Sequence, residues 1–140
     1  MRVREAKASP FLDPSLWIAD NALAAAIRDV FPVSPGHTLV VPKRPVPTIF
    51  DCSHAEVMAI WSLLEQCKQA IDAEFRPDGY NVGVNCGADA GQTIFHAHVH
   101  LIPRYHGDHP FPRGGVRHII PGKGNYPGSP APVSPILPNP

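Results

Sequence analysis

The stretch Gly91-Gln92-Thr93-Ile94-Phe95-His96-Ala97-His98-Val99-His100-Leu101-Ile102-Pro103-Arg104 sets a histidine at every second position of a largely apolar run. Side chains alternate across a strand. A strand over Thr93 to Pro103 therefore puts Ile94, His96, His98, His100 and Ile102 on one face and Phe95, Ala97, Val99 and Leu101 on the other. The apolar face is expected to meet a core and the histidine face to line a site. Neighbouring imidazoles then stand about 6.5 Å apart and the row spans about 13 Å, which suits a chain of phosphates better than a point ligand.

Three readings of the row compete. The plainest is a solvated strand face, which is the ordinary explanation of one histidine but a poor one for three in register. A second is a zinc site, since H-x-H on a strand binds metal when His37, His54 or a carboxylate completes the set. Against it, a metal barrel of the cupin kind wants a glutamate soon after the H-x-H pair, and the nearest following carboxylate is Asp108. The third is nucleophilic. A neutral imidazole offers one nitrogen as nucleophile when its other nitrogen donates to a carbonyl, and its neighbours in the row serve as donors.

Upstream, Trp17-Ile18-Ala19 and Ala22 to Ile27 read as a hairpin around Asp20-Asn21. Ser34-Pro35-Gly36 reads as a type II turn feeding a β-rich run that begins at His37. Ser53 with Glu56 is a capping box, and Val57, Ile60, Trp61, Leu64, Ile71 and Phe75 follow at helical spacing, so one long helix is expected over 53–75. Pro77-Asp78-Gly79 then opens a strand at Tyr80 to Asn85, and a loop with Gly87 and Gly91 leads back to the histidines. The fold expected is α+β: an antiparallel sheet meander with one long helix over one face.

At 140 residues with 44% hydrophobic content, the chain suits one domain, taken as residues 1–120, followed by a proline-rich, extended or disordered tail over 121–140. Twelve basic residues balance twelve acidic ones, which leaves no uniform field to hold nucleic acid or a membrane surface. The basic start, with Arg2, Arg4 and Lys7, is followed by no apolar span, so a cytoplasmic location is expected. Cys52, Cys67 and Cys86 are odd in number and lack a C-x-x-C pair, and are taken as reduced packing residues.

The run from Gly91 to Arg104 resembles the histidine-triad (HIT) signature H-φ-H-φ-H-φ-φ with its Gly-Gln approach. A second block, Phe31 to Arg44, looks like that family's nucleotide-binding turn and strand. The resemblance covers about Phe11 to Arg104 and implies the family's fold, a homodimer, and attack by the middle histidine, His98, on the α-phosphorus of a nucleotide to give a nucleotidyl-histidine. His96, His100 and His37 would support it, with His100 and Gln92 on the phosphate. By position Asn85 and Thr93 reach the phosphate or satisfy loop backbone, and Asp29 takes the ribose hydroxyls or is a turn aspartate. Ile27 and Leu39 line the base pocket or are ordinary core. Arg104, which either draws in a polyphosphate or caps the strand, is left outside the site.

Within the family, histidine at the third triad position disfavours the sugar-1-phosphate uridylyltransferases, and no cysteine after Cys86 means no zinc-finger extension of the DNA-repair kind. Leu101-Ile102-Pro103-Arg104 looks like the dinucleoside polyphosphate hydrolases, whereas Asn85 resembles the phosphoramidases. No cofactor is expected beyond a divalent cation such as magnesium accompanying the substrate. The alternative is a metal-binding or non-catalytic nucleotide-binding protein built on the same row.

Overall fold

The structure is a computed structural model and describes residues 9–128. The basic stretch 1–8 and the last part of the expected tail, 129–140, lie outside the described residues. Five antiparallel strands, β1 (Trp17–Asp20), β2 (Ala24–Arg28), β3 (Thr38–Pro42), β4 (Gly79–Val84) and β5 (Val99–Arg104), form one sheet in the order β1-β2-β3-β5-β4. One helix, α1 (His54–Phe75), covers one face. This is the α+β architecture expected, except that the chain returns from the β4 edge to insert β5 beside β3.

Local chemistry accounts for the elements. Asn21 ends β1 by accepting from the Leu23 and Ala24 N–H groups, and its own amide donates to the Ala59 carbonyl, tying the hairpin to α1. The Ala22–Ile27 strand expected from sequence accordingly starts two residues later, at Ala24. Gly36 turns at φ +88°, and a Cβ there would meet the Phe75 ring at 3.0 Å, so β3 can begin against the helix end only with glycine. The Ser53 and Glu56 side chains cap α1 reciprocally, and Arg44 reaches Glu56 at 2.7 Å. Hydrogen bonding to Arg44 and to the Ser53 backbone holds the Glu56 carboxyl down at about 2.

The helix buries Ile60, Leu63, Leu64, Cys67 and Ile71 against Ala24, Ala26, Val40, Val99 and Leu101. Val57 and Trp61, expected on that stripe, face solvent instead, because the neighbouring Leu63 and Cys67 set the buried arc. The opposite sheet face carries Ala25, Ile27, Leu39 and Val41, covered by Phe11 from the 3-10 turn Pro10–Leu12. It is on this second face that the histidines gather.

One further expectation is corrected. The histidine strand does not start at Thr93: only Val99–Arg104 is strand, and residues 93–98 are irregular. They cross the segment after β3, where the Ala97 N–H donates to the Val46 carbonyl, and Phe95 is exposed rather than in the core. Among the described residues of 121–128, several contacts are made. The Gly124 carbonyl accepts from Arg117 and its backbone lies against His118, while Tyr126 stacks under the Arg117 guanidinium. Among the described residues no helix is long and apolar enough to cross a membrane, and the three cysteines are free.

Candidate active site

His98 is aimed by its own backbone. Its Nδ1–H donates to the His96 carbonyl at 2.8 Å, which fixes the tautomer and leaves Nε2 with its lone pair. The side chain is nearly covered, 9% exposed, with the Phe11 ring centred 5.1 Å away on one side and the His100 ring 5.3 Å away on the other.

His100 belongs to a relay. The Val33 N–H donates to Nδ1 of His37 at 3.1 Å, so the His37 proton sits on Nε2, which donates to Nδ1 of His100 at 2.9 Å. His100 therefore carries its proton on Nε2, as a donor. Burial pushes the pKa values of His37 and His100 below the ordinary histidine value, against the pull of Asp29, and His98 and His37 depress His100 further. The relay is neutral and directional.

Asp29 does two things. Its Oδ1 accepts from the Phe31 N–H, the turn role, and its Oδ2 lies 3.4 Å from Nε2 of His37. Ile27 and Leu39 stand opposite each other on β2 and β3, and Leu39 in turn opposes His100 on β5, so an apolar floor runs directly up to the relay.

Two of the expected residues have their side-chain polar atoms engaged within the protein. His96 is buried with both ring nitrogens engaged, Nδ1 with the Ser9 hydroxyl and Nε2 with the Pro42 carbonyl at 2.6 Å. The ring is thereby tied to Ser9 and Pro42, while the His96 backbone carbonyl is the one that His98 meets. Gln92 is likewise consumed: Oε1 accepts from the Gly87 N–H, and Nε2 donates to the Pro47 and Ile94 carbonyls. Its amide ties the loop to Pro47 and Ile94. Asn85 and Thr93 remain beside that loop with no side-chain hydrogen bond among the described residues, Asn85 facing Gly91.

Phe11, Ser9 and the Val33 N–H were missed in the sequence. Ser9-Pro10 carries the cap-then-proline pattern of a helical start, which flags the turn that presents Phe11, whereas a backbone N–H leaves no trace in a sequence.

Asp29, His37 and His100 also converge closely enough to ligate a metal ion, their donor atoms lying within 4.8 Å of one another. The relay opposes it. A metal on Nε2 of His37 needs the proton moved to Nδ1, which already accepts from Val33, so binding costs that hydrogen bond. His54, the other expected ligand, is exposed at the start of α1 and is not among these three residues.

Residues 12–107 match the HIT domain. The chain belongs to the HIT domain family. Among its relatives, the bis(5'-nucleosyl)-tetraphosphatase [asymmetrical] of Schizosaccharomyces pombe is 40% identical over 86 residues, 61% of this chain and 47% of that protein. The bis(5'-adenosyl)-triphosphatase of Dictyostelium discoideum is 38% identical over 82 residues, 59% of this chain and 55% of that protein. The chain thus spans about half the length of these relatives. A crystal structure of a HIT family protein from Bacillus anthracis superimposes with a TM-score of 0.68 at 36% identity, covering 74% of this chain and 77% of that one.

Proposed function

We propose that this HIT-family chain is a nucleotide hydrolase that cleaves at the α-phosphorus through a nucleotidyl-His98 intermediate and releases a nucleoside monophosphate. The observation that carries this reading is the 2.8 Å hydrogen bond from Nδ1–H of His98 to the His96 carbonyl, which leaves Nε2 as the free nucleophilic nitrogen.

In the first step the Nε2 lone pair forms a bond to the α-phosphorus, and the bridging oxygen leaves with the electron pair of the bond that breaks. The His96 carbonyl faces the positive charge that develops on the ring. His100, its proton held on Nε2 by the relay, donates to a non-bridging oxygen where charge accumulates. In the second step water bonds to phosphorus, the phosphorus–nitrogen bond returns its pair to Nε2, and the water proton passes to solvent.

The base rests on Ile27, Leu39 and Phe11, with Asp29 toward the ribose and Asn85 and Thr93 toward the phosphate. The favoured substrate is a dinucleoside polyphosphate such as diadenosine tetraphosphate, in keeping with the names of the two relatives. Adenosine 5′-phosphoramidate is the alternative, favoured by asparagine at position 85. Two copies pair, through the exposed Val57, Met58 and Trp61 of α1 and the open edge of β4.

The test is AMP release from diadenosine tetraphosphate, diadenosine triphosphate and adenosine 5′-phosphoramidate, with and without magnesium, by wild type and His98→Asn. Release by wild type alone upholds the reading, and the preferred substrate names the branch. Equal release by both proteins, or by neither, refutes it.

A further inference from the structure

Beyond the triad, the same sheet face continues down β4 and β5. Gly83 lies opposite His100, Asn81 opposite Ile102 and Gly79 opposite Arg104, so one row runs from the relay to the far end of the two strands. Space over Gly83 is open, with nothing within 4 Å of where a Cβ would stand. Asn81 follows one two-residue step later, about 6.5 Å along the strand.

There the row drops into a cavity of about 260 Å³ between the start of β4, the end of β5 and residues 105–115, lined among others by Asn81, Arg104, His106 and His109. The 3-10 turn Gly115–Ile119 packs on β4 at its rim, and Gly115 admits Asn81, whose Nδ2 would stand 3.1 Å from a Cβ there. The volume falls just below that of pockets enclosing a whole small molecule, which fits one end of a longer ligand.

The chemistry of this end is polar and prearranged. Arg104 donates Nε and Nη2 to the two oxygens of Asp108 at 2.8 and 2.7 Å and Nη1 to Asn81 Oδ1 at 2.6 Å. A guanidinium has five N–H groups, so two remain as donors, and Asn81 Nδ2 has no hydrogen bond among the described residues. Donors held in a fixed plane match phosphate oxygens. The imidazoles of His106 and His109 line the same cavity, His109 already stacked on the His118 ring 6.1 Å away, and flat rings of this kind pack against a base.

We propose that this cavity is a second subsite, which takes the leaving half of a dinucleoside polyphosphate: its distal phosphate on Arg104 and Asn81 and its nucleoside against the histidines. The polyphosphate bridge would cross Gly83 from the α-phosphorus at His98 to the cavity. The proposal rests on the hydrolase reading above, and gives that reading a reason to favour two-headed substrates over the phosphoramidate, which has no second nucleoside.

The experiment compares Arg104→Gln and Asn81→Ala with wild type, taking the ratio of kcat/KM for diadenosine tetraphosphate to that for adenosine 5′-phosphoramidate. A fall in this ratio of about tenfold or more in both variants is expected from losing charge-assisted contacts to one substrate only. A constant ratio, whether both activities drop together or neither does, overturns the subsite and leaves Arg104 a structural residue. A binding arm separates this from the hydrolase reading. In the His98→Asn background, diadenosine tetraphosphate is expected to bind more tightly than AMP, and the advantage to disappear when Arg104→Gln is added; an advantage that persists, or none to begin with, overturns the subsite. If wild type hydrolyses neither substrate, the hydrolase reading fails, and the binding arm alone decides the subsite.

Discussion

Replacing His37 tests the relay. His37→Leu removes the donor to Nδ1 of His100 and the acceptor for the Val33 N–H. The two losses are unequal. Val33 as a residue is 71% exposed, so water reaches its N–H readily, whereas Nδ1 of the half-buried His100 faces the buried His37 and loses a bond worth about 1–3 kcal/mol when left unpaired. Leucine returns part of this through apolar contact, for a net destabilisation of about 1–2 kcal/mol. The effect on catalysis follows from the tautomer. Without the His37 donor, His100 is free to move its proton to Nδ1 and present a bare nitrogen to the phosphate. A fall in kcat/KM of about 10–100-fold is expected, carried mainly by kcat because the charge His100 meets grows in the transition state. His37→Gln is the control, since its terminal amide can restore a donor near the position of Nε2. Urea unfolding and AMP-release kinetics on both variants check the reasoning. It is refuted if His37→Leu loses less than about twofold in activity, or if glutamine recovers no more than leucine does at equal stability.

Other outcomes follow from the same geometry. Arg76 ends α1 with φ at +49°, a left-handed cap that suits glycine, so Arg76→Gly is expected to stabilise by about 0.5–1 kcal/mol and raise Tm by about 2–4 °C, and an unchanged or lower Tm contradicts it. Gln92→Leu strips three backbone groups of their partners and is expected to cost about 3 kcal/mol or more by urea unfolding, a loss that a phosphate contact at the surface would not produce. Burial holds His37, His96 and His100 below the ordinary histidine value of 6.5, so beneath that pH the unfolded chain binds more protons than the folded one. Stability is then full above 6.5 and falls as pH drops through the window beneath it, at up to about 1.4 kcal/mol per pH unit for each histidine. Urea midpoints that stay flat or rise between about pH 7 and pH 5 would contradict this.

Much of the fold can be read from short-range chemistry. The Ser53–Glu56 box starts α1 where it was expected, and Gly36 turns the chain into β3 because its Cβ space belongs to Phe75. What the pattern could not give was the neighbour. Alternation at residues 93–98 is that of an extended chain, but a ladder needs a second strand alongside, and here the segment crosses 42–47 instead. Helical spacing likewise groups Val57 and Trp61 with Ile60 without saying which arc the sheet covers. In the site, the order of the histidines in sequence put His98 between its neighbours, but their equivalence was misleading. His96 and His100 sit two residues either side of His98, yet one is locked to Ser9 and Pro42 and the other is the end of a relay reaching back to a backbone N–H at Val33. Hydrogen bonds that depend on packing across the sheet are invisible until the strands are in register.

Attack by His98 followed by attack of water is two displacements at one phosphorus, and stereochemistry reads their number directly. The measurement is hydrolysis, in oxygen-18 water, of a substrate chiral at a thio-substituted α-phosphorus, with the configuration of the released thio-AMP determined. Net retention is the result predicted for a nucleotidyl-His98 intermediate. Inversion means that water attacked phosphorus in a single step, and would contradict the role given to His98.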